Sequence, residues 1–163
     1  MLLFKQLRVL HKLPRGYIKI LRVASYLYDA GERINYHQHA KLSFGAIMGA
    51  DIYGLTHREQ VLAAFVASLH QGGDIALADW LKYKDLVTDE ELDAVRKLGV
   101  ILRIAEAFDR TRSNAIVDIN CDILGDSVIM KTETTQDNGF EIKKALEASK
   151  DFERFFKKKI EIL

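Results

Sequence analysis

From Leu2 to Phe108 apolar residues return every three or four positions, and beyond Ser113 they begin to alternate. The first period is that of a helix with one buried face and the second that of a half-buried strand. The change at Ser113 therefore splits the 163-residue chain into an all-helical bundle over 1–113 and a small α+β unit over 114–163. Two capping boxes fix helix starts inside the bundle. Thr56-His57-Arg58-Glu59 opens the apolar run Val61 to Leu69, and Thr88-Asp89-Glu90-Glu91 opens a helix carrying Leu92, Val95, Leu98, Leu102 and Ala105. In each, a threonine hydroxyl and a glutamate carboxylate satisfy amide groups that a helix start leaves bare.

Pro14 suits the first turn of a helix with Tyr17, Ile18, Leu21, Ala24, Ser25 and Tyr28 on its buried stripe, and Gly31 suits its C′ position. A further helix runs from His37 to Met48, with Gly49 just beyond, and Gly72-Gly73 ends the Val61–Leu69 run. Ile116 to Ile123, a turn at Gly125-Asp126 and Ser127 to Thr134 read as a β-hairpin. A helix from Phe140 to Phe156 and a short strand, Lys159 to Leu163, complete the unit. The predicted class is thus mainly α, a bundle followed by hairpin, helix and strand. Leu2, Leu3, Leu7 and Leu10 repeat at helical spacing from the start with no capping residue ahead of them. This reads as a truncated first helix, cut from a longer chain or completed by a partner, whose bared apolar side favours a homodimer.

The single cysteine, Cys121, excludes a disulfide framework and a cysteine-built zinc site. No apolar run approaches the ~18 residues that span a membrane, and charges interrupt the N-terminal segment before a signal peptide can form. A cytoplasmic protein with no membrane partner is expected. Net charge is +1, but residues 1–50 hold 8 Lys and Arg against 2 Asp and Glu, whereas residues 51–110 hold 7 against 11. A basic first third attracts a polyanion without making the whole chain basic. Phosphate-loop, dinucleotide and esterase-elbow motifs are absent from the sequence. No recognition-helix motif points to sequence-specific nucleic-acid binding.

Two sets of residues carry candidate chemistry. Arg33, His37, His39 and Lys41 lie within nine positions, and Arg103, Arg110 and Arg112 form a second basic group near a later helix end. Guanidinium, ammonium and imidazolium groups of this kind bind phosphate, so these seven are the candidate phosphate-binding residues. The other set is Asp29, His39, His70 and Asp109, which follow the order of ligands in HD-type metal-dependent phosphohydrolases. Imidazole and carboxylate suit divalent cations. The position before Asp29 is Tyr28, where the His-Asp pair of that superfamily has imidazole. The set is degenerate, so no bound metal and no catalytic residue are expected in this chain.

Three stretches carry a resemblance. They are Tyr26-Leu27-Tyr28-Asp29-Ala30-Gly31 through Tyr36 and on to His39-Ala40-Lys41-Leu42-Ser43; Gly54-Leu55-Thr56-His57-Arg58-Glu59; and Leu98 to Arg110. In the same order they resemble the C-terminal, HD-like region of the Ppx/GppA family, exopolyphosphatases and guanosine pentaphosphate phosphatases. The family pattern, approximately L-H-D-I-G, I-x-Y and H-H-K-H-S, is kept at Asp29, His39, Lys41 and Ser43, and departs at Tyr28, Ala40 and Leu42. The resemblance implies a C-terminal domain that handles inorganic polyphosphate or another phosphate polyanion and joins subunits. It also implies catalytic actin-like domains, with their Mg2+, elsewhere in a parent hydrolase. A free-standing HD-type phosphohydrolase and a purely structural dimerisation domain are the alternatives.

Overall fold

The structure, a computed structural model, describes residues 1–135 and 137–163. Helices α1 (Leu2–Gln6) and α2 (Arg8–His11) are followed by α3 (Tyr17–Leu27), a 3-10 turn (Tyr36–Gln38), α4 (His39–Met48), α5 (His57–Ser68), α6 (Leu77–Trp80) and α7 (Asp89–Phe108). Strands β1 (Ile116–Ile123) and β2 (Ser127–Thr134), helices α8 (Gly139–Leu146) and α9 (Ser149–Phe156) and strand β3 (Lys159–Ile162) complete the chain. Both capping boxes form as expected. Thr56 and Thr88 accept from the amides of Glu59 and Glu91, and both glutamates reach back to the cap amides.

Helix α5 is the centre. Val61 to Ala67 are all buried, so this helix has no wet face. Helices α3, α4 and α7 pack around it. Its N-terminus is tied down by Lys19 on Glu59 at 2.7 Å and by Arg58 on the buried Glu91. The Gln60 side-chain amide donates to the carbonyl oxygens of Ile47 and Ala50 at 2.7 and 2.9 Å, serving acceptors at and just beyond the end of α4, where the regular helical bonds run out. Gly72 and Gly73 (φ +92° and +90°) turn the chain away, a conformation that glycine adopts without steric penalty.

In the C-terminal unit β1 pairs antiparallel with β2, and β3 adds parallel to β2, giving the order β1-β2-β3. One hydrophobic cluster joins Val128, Met130, Phe152 and Ile160 to the α5 and α7 core. Arg103 on Asp151 at 2.7 Å, with Arg96 and Arg154 both on Asp74, cross-links α9 and the bundle. Among the described residues no helix is long and apolar enough to cross a membrane.

Three local expectations are corrected. The single helix expected over Phe140–Phe156 is two, α8 and α9, because the chain tightens into i→i+3 bonds at Glu147 and the buried Ala148 before restarting. Gly31 does not cap α3, which ends at Leu27. Instead a Cβ there would stand 2.5 Å from Leu42 Cβ and 2.6 Å from the His39 carbonyl oxygen, while the Gly31 amide donates to Ser43 Oγ at 2.9 Å. The glycine is needed for the close approach of the 29–34 turn to α4. Finally, the apolar side of the first helix is not bare. Leu3, Phe4 and Leu7 are buried, and α1 packs on β1 and α7.

His11, also buried, is fully engaged: its Nε2 donates to the Phe4 carbonyl at 2.7 Å and its Nδ1 accepts from the Leu13 amide at 2.9 Å. Burial, joined by the charges of Lys97 and Arg8, lowers its pKa from the ordinary value near 6.5, against the opposing pull of the Phe4 carbonyl.

Two predictions follow from these packings. Gly31→Ala should destabilise the protein by about 1–3 kcal/mol, the usual cost of forcing extra volume into a tight contact. A denaturant midpoint equal to that of the parent would show that the turn can yield. Because the folded pKa of His11 lies below the unfolded one, the unfolded chain takes up a proton first. Its contribution is therefore complete above about pH 6.5 and is lost as pH falls below that value toward the folded pKa. The unfolding midpoint of the parent should drop between pH 7.5 and 5.5, and part of that drop should disappear in His11→Gln.

Candidate functional site: a carboxylate and two imidazoles beside a polar pocket

Three helix ends converge beside the core. The chain leaving α3 brings Asp29, the first residue of α4 is His39, and the turn after α5 brings His70. Asp29 Oδ1 lies 3.3 Å from His39 Nε2 and 3.6 Å from His70 Nε2, and the two Nε2 atoms are 2.8 Å apart. His39 and His70 are buried at 5% and 4% exposure, with Asp29 at the open side.

The tautomers follow from the backbone. His39 Nδ1 sits 2.6 Å from the Tyr36 carbonyl oxygen and His70 Nδ1 2.7 Å from that of Ala67. A carbonyl only accepts, so both Nδ1 atoms carry hydrogen and each neutral ring turns an Nε2 lone pair inward. Those lone pairs and the carboxylate oxygen therefore face one another, and the Gln71 amide approaches His39 Nε2 at 3.2 Å. Three acceptors this close repel unless a cation, a proton or a metal ion, sits among them. Among the described residues, Asp29, His39 and His70 form a group able to hold a metal ion together. Burial lowers the pKa of His70, and the neighbouring His39 lowers it further.

Asp109, the fourth residue of the degenerate set, is not part of this group. It caps the C-terminus of α7, exposed, and lines a different groove with Met1, Leu2 and Asn114. Tyr28 stands where the motif has imidazole, its ring 4.9 Å from that of His70. Its hydroxyl is pushed up to about 12, first by burial and then by the charge of Asp29, so it remains a neutral phenol.

Beside His70 opens a polar pocket of about 190 Å3, where Gln71, Arg103, Arg110 and Lys144 meet two carboxylates, Glu106 and Glu147. Arg110 pairs with Glu106, Lys144 with Glu147 at 2.9 Å, and Arg103 with Asp151. Of the seven candidate phosphate-binding residues, Arg103 and Arg110 line this pocket. Arg112 follows α7, close enough for its charge to act on the Tyr28 hydroxyl. Arg33 and His37 are exposed on the 29–38 segment, His39 is inside the triad, and Lys41 points from the other side of α4 toward a separate cavity. Lys144 escaped the sequence reading because α8 brings it in from the C-terminal unit, and an isolated lysine on an amphipathic helix carries no signal of its own.

The family model for Ppx/GppA phosphatase, domain III, matches residues 1–151. Comparison with curated proteins returns no match. The family match runs through the α3–α4 turn, both capped helices and the hairpin, and it includes all three residues of the triad. On that span the chain belongs to the Ppx/GppA phosphatase family and corresponds to its domain III, the C-terminal domain.

Proposed function

We propose that this domain gives an exopolyphosphatase-like hydrolase a place to hold inorganic polyphosphate, or another phosphate polyanion, and a surface on which to dimerise. One observation supports the first part above the others: Arg103 from α7, Arg110 from the turn after it and Lys144 from α8 converge on one pocket beside His70. Guanidinium groups offer phosphate paired donors and the ammonium a point charge. The chain contributes no catalytic residue on this reading, and Mg2+ belongs with phosphate cleavage elsewhere in the parent. Dimerisation draws support from Tyr26 and Ile34, exposed at 79% and 73% on α3 and the turn that follows it.

The triad favours a second reading, a metal-dependent phosphohydrolase of HD type, since Asp29, His39 and His70 fit a divalent cation through one oxygen and two nitrogen lone pairs. A cation there would supply Lewis-acid polarisation of a phosphate oxygen. The chain's own part would be to orient phosphate through Arg103, Arg110 and Lys144. Against it, Tyr28, Ala40 and Leu42 withdraw three imidazoles of the family pattern.

Elemental analysis of protein purified without chelator separates the two readings. Less than stoichiometric transition metal is expected, and one or more equivalents of Mn, Fe or Zn per chain would establish the second. For the first, long-chain polyphosphate binding should weaken steeply with salt, as counterion release requires. Arg110→Gln with Lys144→Gln removes two phosphate partners, so the log–log salt slope should fall by about 1.5. Affinity at low salt should drop at least tenfold, with little change in stability because both side chains are partly exposed. Arg33→Glu with Lys41→Glu tests the N-terminal basic group in the same assay. Parent protein that binds no polyphosphate at low salt would leave only a structural role. Sedimentation at micromolar concentration should show a dimer, and monomer alone would remove that part.

A further inference from the structure

On the face of α4 away from the triad lies a second cavity, of about 440 Å3. This is the size range of sites that enclose a small organic molecule. Its floor is a triangle of aromatic rings. Phe44 and Phe65 have centroids 5.0 Å apart, and Tyr83 lies 5.9 and 5.8 Å from them. Leu69 and Ile75 continue the apolar wall. Gly45 lines it as well, and a Cβ placed there would meet nothing within 4 Å, so the space is open at that point.

Few polar groups in this cavity remain available. The Ser68 hydroxyl donates to the Phe65 carbonyl at 2.8 Å. Asp74 is engaged at both oxygens, by Arg96 and the Ile75 amide on one and by Arg154 on the other. Asp79 pairs with Lys82 at 2.9 Å. That leaves Lys41, which makes no ion pair among the described residues although Asp79 is near enough to sense its charge. Asp79 is thus already paired with Lys82, and the ammonium group of Lys41, acting on it only at longer range, is the positive charge left over at the mouth. An apolar aromatic interior excludes a sugar or a bare phosphate chain, whose polar groups would be buried without partners. The leftover charge selects an anion.

We propose that this cavity binds a small planar aromatic molecule carrying one anionic group, its ring against Phe44, Phe65 and Tyr83 and its charge at Lys41. The site is separate from the polar pocket beside His70 and does not depend on polyphosphate binding.

The probe is naphthalene-2-carboxylate, with neutral naphthalene-2-methanol as its counterpart, followed by calorimetry and by amide shifts in an NMR titration. The carboxylate should bind saturably, with shifts concentrated at residues 40–45, 65–69 and 74–83, and the alcohol should bind at least fivefold more weakly. Lys41→Met should abolish that preference while leaving the ring contact. Gly45→Leu should occupy the space and abolish binding of both probes, with an unfolding midpoint no lower than the parent's because leucine suits a helix better than glycine. The proposal is overturned by absence of saturable binding to the parent, by equal affinity for acid and alcohol, by a preference that survives Lys41→Met, or by undiminished binding to a folded Gly45→Leu protein.

Discussion

Helix α5 cannot exist exposed to water, and the positions of the other elements follow from covering it. Seven consecutive residues, Val61 to Ala67, are buried, and each large apolar side chain among them gains about 1.5–3 kcal/mol by leaving solvent. Three helices surround it, and polar groups are confined to its ends. At the N-terminus the capping box, Lys19 and Arg58 satisfy what burial would leave bare. Beyond the C-terminus the chain presents His70 before the Gly72-Gly73 turn. Its ring is held by the Ala67 carbonyl of that helix, so the buried helix sets the position of one of the three residues of the triad.

The elements declared by local chemistry were readable from the residues: both capping boxes, the hairpin and the last strand. Interactions at long range were not. Gly31 looks like a helix terminator in sequence, and only the approach of α4 shows that its missing side chain makes room for Leu42 and His39. The break between α8 and α9 falls in a run of good helix formers, so nothing local marks it. Asp29, His39 and His70 were legible because a family pattern placed them in order, and the structure brings them together. Asp109 shares that pattern, yet as the cap of α7 it lies outside the group. Lys144 had no pattern to reveal it.

Helix α4 serves two environments because its residues alternate by turn rather than by position. His39, Ser43 and Ile47 are four apart and face inward; Ala40 and Phe44, with Lys41 and Gly45, line the aromatic cavity. The end of α5 is divided in the same way, for Leu69 borders that cavity and His70 the polar pocket. The two concave regions are therefore bordered by neighbouring residues of the 68–72 segment and are opposite in character. One is built for a ring, the other for charge.

The polar pocket is close to neutral, and that bears on which anion it suits. Arg110, Lys144 and Arg103 each already face a carboxylate. Partly exposed pairs of this kind contribute about 0–1 kcal/mol apiece, so a phosphate can exchange for Glu106 or Glu147 at small cost but also for small gain. A single phosphate would be held weakly. A polymer differs, because once one unit is engaged the next binds at high effective concentration, and modest local gains multiply along the chain. Under the proposed function the near-neutral pocket thus favours long anions over short ones.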